Sequence, residues 1–154
     1  MRRSKSPSIL LGRCIYWCAW PGLFLLLNGS ERTRAILAHG DEILVVRGWL
    51  DDAWSLPGGG LHRGEAILRG CLREIREETG IALRQEQLTF AGQMPAREHG
   101  ISFVVHVYAA ELPKKPELSR QRHEIAELAW VDWHTLDQGN AHGDVLDALR
   151  AWLA

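Results

Sequence analysis

The chain has 154 residues, with 18 Lys and Arg against 19 Asp and Glu and a net charge of −1. At 46% hydrophobic residues it can bury one real core, which excludes disordered, collagen-like and disulfide-scaffold classes. The near-neutral balance gives no general attraction to nucleic acid or to an anionic surface, so any phosphate chemistry must come from a local site. Three cysteines cannot all pair, and Cys14 and Cys18 sit in an apolar stretch, which suggests structural thiols in a reducing compartment.

The chain opens with the basic leader MRRSKS. Residues 9–27, ILLGRCIYWCAWPGLFLLL, follow, and 15 of these 19 are apolar. Arg13 would be costly inside a bilayer, and Pro21-Gly22 divides the stretch into pieces too short to span one. The expectation is an extension over 1–32 that packs on the domain or on a second subunit. Attachment to a membrane surface through 9–27 is the minor reading. NGSERT (28–33) reads as a polar joint, and the main domain is assigned to 33–154.

Within that domain, RAILA (34–38) and EILVVR (42–47) read as strands around the turn His39-Gly40-Asp41. Trp54 to Pro57 is a short extended piece ending at three glycines. Glu65 to Glu78 has helical periodicity and stops at Thr79-Gly80, where glycine can take the left-handed conformation. Leu88 to Ala91 is a short strand candidate. Ile101 to Ala110 is a long one. Leu112 to Leu118 is a loop, and Ile125 to Val131 is another strand. Asp144 to Leu153 closes the chain as an amphipathic helix. Strands around a central helix, with a second helix at the end, predict an α/β layer structure with a mixed sheet.

The informative segment is 58–81, GGGLHRGEAILRGCLREIREETGI. On a helical wheel, Glu74, Glu77 and Glu78 share an arc of about 100°. Cys71, Ile75, Leu68 and Leu72 fall beside it, so the helix can bury an apolar stripe and still present the acids. Gly70 lies on the acidic side, where a missing side chain admits close approach. Like charges at this spacing repel. Either basic neighbours (Arg69, Arg73, Arg76) offset the repulsion, or a hard divalent cation such as Mg²⁺ or Mn²⁺ does. Gly58-Gly59-Gly60 permits close backbone approach to a ligand or ion. It is neither a P-loop nor a dinucleotide fingerprint.

Gly59, then Glu65, then Arg73-Glu74-Ile75, Glu77-Glu78 and Gly80-Ile81 stand at the spacing of the Nudix box. The chain therefore resembles the Nudix hydrolases over about 23 residues, with every fixed position present. The resemblance implies an α/β/α sandwich with a mixed β-sheet. It also implies Mg²⁺- or Mn²⁺-dependent cleavage of a diphosphate linkage in a nucleoside diphosphate derivative. Glu74, Glu77 and Glu78 would be the metal ligands, the Gly58 or Gly59 carbonyl would assist, and Glu65 would support the site. Arg73 would orient carboxylates by pairing with Glu65 or Glu77. A carboxylate would act as general base, and Glu98 in the loop AREHG is the candidate outside the box, set against a reading as a solvated acid. The partner is then a small nucleotide diphosphate and not a nucleic acid, and the setting is cytoplasmic. Family members often dimerise, so a homodimer is admitted.

Pro95, fifteen residues after Gly80, resembles the subgroup acting on ADP-ribose. ADP-ribose or a nucleotide-sugar is thus favoured over a nucleoside triphosphate, and a nucleotide-binding domain without turnover is the further alternative. Trp130, Trp133 and Trp152 read as anchors between sheet and terminal helix. Trp49 and Trp54 read as packing residues, with stacking on a base as the alternative. The seven histidines lack zinc-ligand spacing, and Cys71 reads as a small core residue.

Overall fold

The computed structural model describes residues 30–49, 51–98, 101–119 and 125–154, with the backbone alone at Glu98 and Ile101. The apolar stretch 9–27 lies outside the described residues. Among those described, no helix is long and apolar enough to cross a membrane.

Five strands form one sheet: β1 (Ser30–His39), β2 (Glu42–Gly48), β3 (Thr89–Glu98), β4 (Ile101–Glu111) and β5 (Ile125–Asp132). Their spatial order is β3-β4-β1-β2-β5. β1 and β4 run parallel, with Ser30 opposite Phe103 and Ala38 opposite Glu111. The other pairings are antiparallel, so the sheet is mixed as expected. Two helices cover it, α1 (Ile67–Thr79) and α2 (Gly143–Leu153).

Alternation along the central strands feeds two cores. On one face Ile36, Ile43, Val45, Val105 and Val107 meet Val145, Ala148 and Leu149 of α2. On the other, Ala35, Leu37 and Leu44 meet Cys71 and Ile75 of α1. Because both faces of β1 and β2 are covered, their middles read as unbroken apolar runs. The result is the α/β/α sandwich that the sequence predicts.

Three sequence expectations are corrected. Residues 30–33, read as part of a joint, are the first four of the ten residues of β1. The strand predicted at 88–91 continues to Glu98, so AREHG is not a loop at its start. A register shift between Phe90 and Gly92 and the proline at 95 obscure its period, and an edge strand tolerates both. Trp130 packs on the α1 side of the sheet, whereas Trp133 and Trp152 pack on the α2 side. Its neighbours Ala129 and Val131 belong to the α2 side, and strand alternation turns Trp130 the other way.

The sheet opens between β1 and β2. Their ladder is limited to Ala38–Ile43 and His39–Glu42 at the turn. Farther from the turn, the segment Ser55–Gly60 fills the gap. Ser55 exchanges two 2.8 Å backbone hydrogen bonds with Val46 of β2. On the β1 side, Ala35 N–H donates to Pro57 O at 2.8 Å and Thr33 N–H to Gly59 O at 2.9 Å. The glycine loop is therefore anchored to the sheet, and it leads directly towards α1.

Candidate active site

The box helix stops where its sequence says it should. Gly80 takes φ +78°, the left-handed cap, and its N–H donates to Arg76 O. Thr79 Oγ1 donates to Ile75 O and accepts from Ile81 N–H, tying the last turn together. Burial of Cys71 and Ile75 fixes the rotation of α1 about its axis. Burial also pushes the Cys71 thiol up to about 12, which fits a core residue and not a nucleophile.

That rotation aims the acids at the glycine loop. Glu74 and Glu78 are almost fully buried, at 2% and 6% exposure. Burying carboxylates is expensive without compensating groups. Glu78 Oε2 accepts from the Gly58 N–H at 2.9 Å. Glu74 lies against Gly59, so closely that a Cβ there would sit 2.8 Å from its carboxyl carbon. Glu77 is more exposed, at 38% of its side chain.

Arg73 ties the cluster together. Its guanidinium donates to Glu65, to Glu74 Oε1 at 2.7 Å, to Glu77 Oε2 at 3.3 Å and to Gly60 O at 3.1 Å. The arginine is held firmly protonated by these carboxylates. Glu65 is held down to about 2, chiefly by Arg73 and further by the His62 N–H. Sequence reading offered Glu65 or Glu77 as the arginine's partner, and the structure pairs it with both and with Glu74. Gly70 faces the same region: a Cβ there would meet Leu61 and Glu65, which explains its small size.

The donor set suits a divalent cation. It is made of carboxylate oxygens and main-chain carbonyls, the hard ligands that Mg²⁺ and Mn²⁺ prefer. The Gly59 carbonyl accepts from Thr33 and the Gly58 carbonyl from Arg34, and each oxygen keeps a second lone pair. Among the described residues, no three His, Cys, Asp or Glu side chains form a ready-made cation cluster. Glu65, Glu74 and Glu77 are instead drawn towards Arg73, while Glu78 accepts from the Gly58 N–H. Glu98 closes β3 opposite Ile101, at the end of the sheet where Ser30 and Gly60 also lie, and its side chain is outside the described atoms.

A cleft of about 300 Å³ adjoins the loop, lined among others by Arg34, Met94, Ala96, Phe103, His142 and Asp144. Arg34 joins cleft to loop: Nη1 donates to Gly58 O at 2.8 Å and Nε to Asp144 Oδ2 at 3.3 Å. His142 pairs with Asp51 at 3.1 Å. None of these four charged residues stood out in the sequence. They come from three separate segments, and only folding of α2 against β1 collects them. Trp54 packs beside the α2-side core with Arg47 over its ring, while Trp49 is exposed.

Comparison with known proteins agrees with this geometry. The family model for the NUDIX domain matches residues 30–150. An uncharacterized Nudix hydrolase of Bacillus subtilis, YvcI, is 31% identical, with the match covering 72% of this chain and 82% of YvcI. Nudix hydrolase 2 of Arabidopsis thaliana is 29% identical over 77% of this chain, which spans only 45% of that protein. The crystal structure of a MutT NUDIX hydrolase from Burkholderia pseudomallei superposes with a TM-score of 0.70 at 25% identity, covering 80% of this chain and 98% of that one. The chain belongs to the Nudix family.

Proposed function

We propose that this Nudix domain hydrolyses a diphosphate linkage in a nucleoside diphosphate derivative, with Mg²⁺ or Mn²⁺ as cofactor. The observation that carries the reading is the pair of buried carboxylates set against the glycine loop, Glu74 held by Arg73 and Glu78 by the Gly58 N–H. A divalent cation bound there supplies charge neutralisation for the diphosphate and acidifies water. Glu74, Glu77 and Glu78 hold it, with the Gly58 and Gly59 carbonyls and Glu65 in support. Arg73 keeps Glu65, Glu74 and Glu77 oriented towards the loop. Glu98 takes the proton from the attacking water. Catalysis of this kind is positioning and electrostatics, which a rigid, hydrogen-bonded loop provides.

The cleft beside Arg34 takes the group joined to the diphosphate. Asp51 and Asp147 line it beside the Arg34–Asp144 pair and Arg97, and carboxylates there accept from sugar hydroxyls. This supports ADP-ribose or a nucleotide-sugar over a nucleoside triphosphate. The domain from Ser30 onward carries the activity, the residues before it form an extension, and the setting is cytoplasmic, where such nucleotides occur.

The test is a panel of ADP-ribose, nucleotide-sugars, dinucleoside polyphosphates and nucleoside triphosphates, each with Mg²⁺, Mn²⁺ or EDTA. Wild type should release a mononucleotide from the first two classes only when metal is present. Glu74→Gln and Glu78→Gln should each lose at least about a hundredfold in kcat/KM while remaining folded. Release no faster than in these variants across the whole panel would refute the reading.

A further inference from the structure

We infer that Asp144 is a positioning residue for Glu78, acting through Arg34 and the backbone of Gly58. The inference rests on the reading of Glu78 as a cation ligand. Three consecutive hydrogen bonds make the connection. Asp144 Oδ2 accepts from Arg34 Nε at 3.3 Å. Arg34 Nη1 donates to Gly58 O at 2.8 Å. Gly58 N–H donates to Glu78 Oε2 at 2.9 Å.

Each link is confined. Arg34 and Asp144 are both about 15% exposed at the side chain, so solvent competes weakly for their pair. Gly58 has φ +143°, and a Cβ on it would lie 2.1 Å from Thr33 O. The loop backbone is thus pressed on β1 and has little room to adjust by itself. Its carbonyl is gripped from the cleft side by Arg34, and its N–H grips Glu78 on the α1 side. A guanidinium can span carbonyl and carboxylate together because its donors diverge in a fixed plane. Asp144 sets where that plane lies. The first turn of α2 thereby influences a carboxylate on the opposite face of the sheet.

An acid in the first turn of a helix also stabilises it through the dipole, and a purely structural Asp144 would do no more than that. A double-mutant cycle separates the two roles. Asp144→Ala, Asp144→Asn, Arg34→Ala and the double alanine variant are compared in the full chain. Mn²⁺ affinity is read by EPR titration without substrate, kcat and KM with ADP-ribose, and stability by melting. Asp144→Ala should weaken Mn²⁺ binding and lower kcat, each about tenfold, with KM changed less than about twofold. Asp144→Asn keeps an oxygen for Arg34 Nε and should recover most of both. The double variant should be no worse than Arg34→Ala.

Losses that add in the double variant, or an Asp144→Ala that melts earlier with unchanged Mn²⁺ affinity, would overturn the inference. Should wild type hydrolyse no diphosphate yet bind Mn²⁺, the proposed activity fails while the titration still decides the role of Asp144. A wild type that binds no Mn²⁺ overturns both.

Discussion

Arg73 grips both carboxylate oxygens of Glu65, Nε to Oε1 at 2.9 Å and Nη2 to Oε2 at 2.8 Å. This planar, two-point pair is the most directional contact in the site. It holds Glu65 at about 2, against an ordinary value of 4.5. A carboxyl whose pKa is depressed on folding adds stability that is complete above 4.5 and is lost as the pH falls towards 2. Arg73→Met should therefore cost about 1–2 kcal/mol at pH 7. The gap from wild type should narrow below pH 4.5 and close near pH 2. Urea unfolding at a series of pH values measures it, and a gap that stayed constant down to pH 2.5 would contradict the assignment.

The two glycines of the loop should fail in different ways. A Cβ on Gly58 would strike the Thr33 carbonyl, which is sheet backbone and cannot yield. Gly58→Ala should lose about 3 kcal/mol or more of stability. A Cβ on Gly59 meets the end of the Glu74 side chain, which can swing away. Gly59→Ala should stay folded within about 1 kcal/mol and lose about a hundredfold in kcat, because a small misplacement of a ligand is costly. Thermal melts alongside kinetics separate the two behaviours.

Ile75 is fully buried between α1 and the sheet, and its neighbours on the helix are the acids. Ile75→Ala should cost about 3 kcal/mol through the cavity it leaves. Ile75→Val should cost about 1 kcal/mol and leave kcat/KM within about threefold. Equilibrium unfolding and steady-state kinetics on both variants are the check.

Cys71 should be silent to thiol reagents in the native protein. A thiol at about 12 carries about a thousandfold fewer thiolates at neutral pH than one at its ordinary 9.0. In a Cys14→Ser/Cys18→Ser variant, colour development with an aromatic disulfide should follow global unfolding in denaturant. Fast native labelling would place Cys71 outside the core.

Much of this site was legible in the sequence because it is local. Glu65, Arg73, Glu74, Glu77 and Glu78 lie within one loop and helix, and their spacing fixes their relative directions on any straight helix. The stop at Gly80 was legible for the same reason. The part of β3 beyond Ala91 was not, because Gly92 and Pro95 interrupt its pattern and only its edge position accommodates them. Ser30 to Thr33 looked like a joint because strand ends beside the loop are polar. Arg34 and Asp144 are 110 residues apart, and no local pattern could pair them.

The parallel pairing of β1 with β4 sets an order on the birth of the site. During synthesis β1, the glycine loop and α1 emerge well before Ile101–Glu111, the strand that must lie beside β1. The strap of backbone bonds from Thr33 and Ala35 to the loop therefore waits for a strand made much later before it has a finished sheet to hang on. Non-local parallel pairing of this sort closes slowly. Until it does, the newborn chain carries a full set of box residues without the surface that holds them in place.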